Sequence, residues 1–121
     1  MSTLQAEQLD AICLHWPGVT TAMKWEVDRV YSVAGKMFAV YCTLGVERGR
    51  VSCKVDADRF LELTEQPGFM PAPYMARAFW VTLTDPDQLA RGALEAFLRR
   101  SYDLVVEKLP AKMQRTLAAP E

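Results

Sequence analysis

The chain has 121 residues, half of them apolar and 24% charged, with a formal net charge of −1. That length suits a single domain spanning 1–121 with one core. The composition excludes a disordered chain, and the near-neutral charge excludes a global pull toward polyanions or acidic membranes. No window approaches 18 uncharged apolar residues, so no membrane span is expected. Residues 1–16 carry Glu7 and Asp10 within an amphipathic pattern and do not read as a leader. Cys13, Cys42 and Cys53 are odd in number and lack metal-ligand spacing, which suggests free thiols in a reducing compartment. A cytoplasmic location is the expectation.

Residues 2–16 predict a helix, with Ser2 and Gln5 as a capping box, Leu9, Ile12, Cys13 and Trp16 at helical spacing, and Pro17–Gly18 as its stop. From Lys24 the period becomes two, placing Trp25 and Val27, then Tyr31 and Val33, on one or two short strands. Gly35 and Lys36 separate two β-rich runs and suit the centre of a type II′ hairpin turn. The return strand would set Phe38, Val40 and Cys42 against Met37, Ala39 and Tyr41, apolar on both faces and so central.

Beyond the loop "GVERG", the segment "RVSCKV" alternates Val51, Cys53 and Val55 with Arg50, Ser52 and Lys54, a half-exposed strand with a basic outer edge. Asp56 serves as an N-cap for a helix over "ADRFLELTEQ", with Phe60, Leu61 and Leu63 or Thr64 as its buried stripe. Two prolines make "FMPAPYMAR" a loop or edge segment. In "AFWVTLT", Phe79, Val81 and Leu83 oppose Trp80, Thr82 and Thr84. Asp85, Pro86 and Gln88 open a long helix running to about Lys108, and "PAKMQRTL" forms a short last one. Hairpin-linked strands with flanking helices predict an α+β domain: an antiparallel sheet of about five strands with helices packed on it.

Catalytic machinery is not legible. His15 is the sole histidine, the cysteines fall in apolar patterns, the acid pairs "DAD" and "DPD" sit at helix starts, and the scattered glycines form no phosphate loop. A non-enzymatic protein without metal or cofactor is expected. The basic residues say more: from Arg29 to Lys54, Arg29, Lys36, Arg48, Arg50 and Lys54 face the single acid Glu47, a local charge of +4. Such hairpins can track phosphates, or can simply protect sheet edges from aggregation. Trp80 lies opposite the inward face; coverage by the Pro71 to Met75 loop is the expectation, a stacking platform the alternative, with Arg77 over the indole in either case.

Five motifs in order, "HWPGV", "GKMFA", "VSCKVD", "PYMARAFW" and "SYDLVVEKLP", resemble those of the MmcQ/YjbR family over nearly the whole chain. The resemblance implies a secretion-chaperone-like α+β fold and a "double-wing" DNA-binding motif. It implies basic contacts at Lys36, Lys54 and Arg77, and matches Trp80 to the family tryptophan. Where the family often reads Met-Asn-Lys-x-His-Trp, this chain has Met75, Ala76, Arg77, Ala78, Phe79 and Trp80, lacking the asparagine and histidine. The expected function is weak, sequence-tolerant DNA binding through Lys36, Arg48, Arg50, Lys54 and Arg77. The alternative is a protein-interaction module using the sheet face around Met37, Tyr41, Tyr74, Met75 and Trp80.

Overall fold

In chain order the protein forms α1 (Ala6–Cys13), β1 (Val19–Lys24), β2 (Asp28–Val33), β3 (Lys36–Cys42), β4 (Val51–Lys54), α2 (Phe60–Thr64), β5 (Phe69–Pro71), β6 (Trp80–Leu83), α3 (Arg91–Val106) and α4 (Ala111–Ala118). The computed structural model describes residues 5–73, 75–89 and 91–118. All strand pairs are antiparallel, in the order β1-β2-β3-β4-β6-β5. The predicted fold class holds, with six strands rather than about five.

The added strand, β1, is an edge whose residues are nearly all exposed or half-exposed, so it carries no apolar alternation to announce it. Between β1 and β2 the predicted strand breaks at Trp25 and Glu26, both at positive φ, and Trp25 stands 63% exposed. The β2–β3 turn also lies one residue earlier than expected. Its central residues are Ala34 and Gly35, both at positive φ as a type I′ turn requires, and Lys36 is already the first residue of β3.

One face of the sheet carries the main core. Tyr31, Val33, Ala39, Tyr41, Val51, Cys53, Val81 and Leu83 pack there with Leu9, Ile12 and Cys13 of α1 and Leu94, Leu98 and Tyr102 of α3. The predicted facing of β3 fails at one point: Tyr31 opposes Ala39 but Ser32 opposes Met37, so Phe38 is bulged out of the pairing. Phe38 and Ala39 therefore both reach the helix side, while Met37 and Val40 share the other face. Tyr41 also leaves the proposed contact surface, buried against the helices.

Several local expectations change with side-chain pairing. Residues 1–4, including Ser2, lie outside the described residues; the observed box has Gln8 Oε1 accepting from Gln5 N–H at 2.7 Å. Asp56 makes no cap hydrogen bond and instead receives both Nε and Nη2 of Arg100 at 2.9 and 2.8 Å. Leu61 is exposed, leaving Leu63 as the buried residue of α2. Asp85 and Pro86 begin a single 3-10 turn rather than the long helix itself. Phe79 adopts φ +62°, stands 39% exposed against Phe60 at 5.9 Å between centroids, and so is no part of the inward face.

Candidate anion-binding site

The open face of the sheet is covered only in part. Loop residues after β5 fold back on it, tied to β6 by Ala72 N–H to the Trp80 carbonyl at 3.1 Å and Trp80 N–H to the Met75 carbonyl at 3.3 Å. Trp80 is thereby 6% exposed in a small cluster with Val30, Val40, Ala72, Met37 and Met75, so the coverage expected from the sequence is what forms. Tyr74, at the centre of that loop, lies outside the described residues.

Because β3 and β4 run in opposite directions, Lys36 at the start of β3 and Lys54 at the end of β4 meet at one end of the sheet. Arg77, in the turn before β6, joins them around a cavity of 570 Å³. The fourth cation on its lining is Lys108, just beyond α3, which sequence reasoning passed over although it lies within the quoted "SYDLVVEKLP". Met37, Met75, Trp80, Val105 and Leu109 give the cavity an apolar floor.

Two devices anchor the backbone at Lys54 and beside Lys108. Past the last direct β3–β4 pair, Ala39 with Cys53, the buried Ser101 hydroxyl bridges the strands: it accepts from Lys54 N–H at 2.9 Å and donates to the Phe38 carbonyl at 2.6 Å. The hydroxyl thus satisfies backbone groups beside the bulge, where water is excluded. Below it, Gln114 Nε2 of α4 donates to the carbonyls of Leu109 at 2.7 Å and Glu107 at 3.2 Å, closing the end of α3 beside Lys108. Trp16, Phe38 and Tyr102 stack together, and Tyr102 O–H donates to the Pro17 carbonyl at 2.6 Å, so "HWPGV" and "SYDLVVEKLP" support the site structurally.

The electrostatics separate these four cations from Arg29, Arg50, Arg59, Arg99 and Arg100, each of which stands beside a carboxylate. Among the described residues, none of Lys36, Lys54, Arg77 and Lys108 forms an ion pair, and the described lining of their cavity includes no carboxylate. Arg29 is bound by Asp10 at 2.7 Å, and Asp10 also accepts from Tyr31 O–H at 2.6 Å. Burial works against the Asp10 carboxylate, but the hydrogen bonds from Arg29 and Tyr31 outweigh it and hold its pKa below the usual value. Arg100 does the same to Asp56. The cation–π contacts among the described residues are made by Arg29 and Arg99; Arg77 makes none with Trp80.

Arg48 and Arg50 do not join this cluster. They sit in the β3–β4 loop at the opposite end of the sheet, where Arg50 is four residues from Lys54, about 13 Å at strand spacing. Arg50 approaches Glu47 at 3.9 Å. The five predicted basic residues thus divide into a trio on one cavity and a pair at the far end of the sheet. Of the predicted contact surface, Met37, Met75 and Trp80 line the same cavity as the trio.

The described lining of this cavity includes no cysteine or histidine. Burial pushes the thiols of Cys13 and Cys53 up to about 12. His15 is exposed at the end of α1 against the edge of Trp16. Among the described residues no group of three His, Cys, Asp or Glu side chains could hold a metal ion, and no helix is long and apolar enough to cross a membrane.

The structural class is an α+β domain with a six-stranded antiparallel sheet, helices on one face and a partly covered second face. The sequence matches the YjbR family model over residues 14–104, and the chain belongs to that family. It is similar to a crystallised Deinococcus radiodurans protein carrying the domain DUF419, at 25% identity and a TM-score of 0.83, covering 96% of this chain and 89% of the other. A Pseudomonas syringae protein shares the fold at 18% identity and a TM-score of 0.65, covering 84% of this chain and 98% of the other. No curated protein matches the chain.

Proposed function

We propose that this protein is a non-enzymatic binder of nucleic-acid phosphate, engaging DNA weakly and with little sequence preference. The carrying observation is the cavity ringed by Lys36, Lys54, Arg77 and Lys108, four cations without an ion-pair partner among the described residues. Like charges brought together without acids repel one another, and an arriving phosphate relieves that repulsion while its counterions are released. Arg77 supplies a planar donor fork, and the lysines supply mobile point charges. The reading as a binder rather than an enzyme rests on the thiols held protonated in the core and on His15 standing at the end of α1. Arg48 and Arg50 are at most secondary contacts, being at the other end of the sheet.

Fluorescence-anisotropy titration of a labelled DNA at two salt concentrations tests this. Four phosphate contacts give a duplex slope of about −3 to −4 in log K against log salt. Lys54→Glu abolishes binding, whereas Arg48→Glu leaves most of it. No binding at low salt, or equal losses in the two variants, would refute the reading.

A further inference from the structure

A second cavity, also of 570 Å³, adjoins the first on the open face, and Met37 and Met75 line both. Its floor is a row running straight across the sheet: Val40 of β3 pairs with Ser52 of β4, Ser52 with Thr82 of β6, and Thr82 with Met70 of β5. At the centre of this row the Ser52 and Thr82 hydroxyls lie 2.8 Å apart, sharing one hydrogen bond and keeping one further proton to donate. The exposed indole of Trp25 stands on the wall, and Asp28 and Glu47 line the cavity with Arg50.

We infer that this second cavity receives one unpaired base of a strand whose phosphate rests on the Lys36, Lys54, Arg77 and Lys108 cluster, making single-stranded nucleic acid the preferred partner. The inference rests on the phosphate-binding reading and narrows it. The volume lies within the range of small-ligand pockets. Thioether and indole side chains offer polarisable surfaces to the π-face of any base, and the hydroxyl pair meets a base edge without selecting one base strongly. With Asp28 and Glu47 against Arg50 alone, the lining is net acidic and disfavours a second phosphate, so the groove does not favour the strand running its length as a polyanion. One base enters, and the backbone turns away at the cation cluster. A paired duplex keeps its bases stacked and can only touch the cationic rim.

The test compares a labelled single strand, the same strand with abasic residues, and the matched duplex, titrated at low salt with the wild type and with Trp25→Ala. Trp25 is 63% exposed, so its removal leaves the fold intact. The expected result is single-strand binding about tenfold tighter than abasic or duplex binding, a difference that Trp25→Ala reduces several-fold without weakening the duplex. A Ser52→Leu variant, which fills the floor, should act in the same direction. Equal affinity for all three nucleic acids, or a Trp25→Ala loss that is equal for strand and duplex, overturns the base pocket while leaving phosphate binding in place. Binding to none of them overturns both readings.

Discussion

Replacing Ser101 with alanine removes one oxygen at a fully buried position and disconnects two backbone groups. The Lys54 N–H loses its acceptor at 2.9 Å and the Phe38 carbonyl loses its donor at 2.6 Å. Each buried group left unsatisfied costs about 1–3 kcal/mol, and the space vacated by one oxygen is too small for a water to restore both bonds without displacing neighbours. A loss of about 2–6 kcal/mol is therefore expected. For a domain of this size each kcal/mol moves the melting midpoint by roughly 3–5 °C, so Tm should fall by about 6–30 °C. Urea denaturation followed by tryptophan fluorescence and a calorimetric scan would measure it, with Thr116→Ala as the control, because that exposed hydroxyl only bonds back to the Lys112 carbonyl. The folded variant should also bind DNA more weakly, since Lys54 and the bulge beside Met37 share this anchor. A destabilisation below about 0.5 kcal/mol would show that the two backbone groups find other partners, and would remove Ser101 from the account of the site.

Three other outcomes follow from the same geometry. Gly18→Ala should cost about 1–3 kcal/mol in urea denaturation, because Gly18 sits at φ +76° and an added Cβ would lie 2.5 Å from Leu117 Cδ2 of α4. Asp10→Asn should destabilise by about 1–2 kcal/mol, since its pair with Arg29 is only about one quarter exposed. The Asp10 pKa is depressed in the folded state, so its stabilisation is complete above the ordinary value of 3.8 and is lost as pH falls through the lower folded value. Unfolding measured from neutral pH to below pH ~3 should accordingly show a shallower acid decline in Asp10→Asn than in the wild type. In native protein a thiol reagent at pH ~8 should modify Cys42 alone and slowly, because Cys13 and Cys53 are buried and held near 12 while Cys42 is half-buried with its thiol on the Leu44 carbonyl at 3.2 Å. Prompt labelling of Cys53 without denaturant would contradict the core packing.

Period and punctuation made most of the fold legible before any coordinates. The alternation of Val51, Cys53 and Val55, the stop at Pro17–Gly18 and the break at Pro110 all carry local signals strong enough to survive folding. What the sequence could not disclose depends on tertiary partners. The bulge at Phe38 shifts the facing of β3 by one residue, and nothing in "KMFAVYC" announces it, because apolar residues on both faces make either register plausible. The Phe38 carbonyl at the bulge is held from 63 residues away in sequence, by the Ser101 hydroxyl. Edge strand β1 was invisible for the opposite reason: it has almost no buried face to encode.

The candidate site shows the same limit in its charges. Counting along the chain gave a +4 hairpin region, yet in space Arg29 is bound by Asp10, Arg50 stands near Glu47, and Arg48 lies in the loop at the other end of the sheet. Two of the five cations in that stretch, Lys36 and Lys54, reach the cavity, and their companions Arg77 and Lys108 come from segments 23 and 54 residues beyond Lys54. Local charge density along the chain does not say which cations share a cavity. The proposed anion site depends on which cations line one cavity once the strands have paired, and antiparallel pairing decides that: residues at the start of one strand and the end of the next become neighbours, while those in the connecting loop move to the opposite end. The Lys54→Glu and Arg48→Glu variants make equal changes in net charge, so they separate these two quantities directly. Unequal effects on DNA binding would mean that position in the sheet, and not the summed charge of the hairpins, governs recognition.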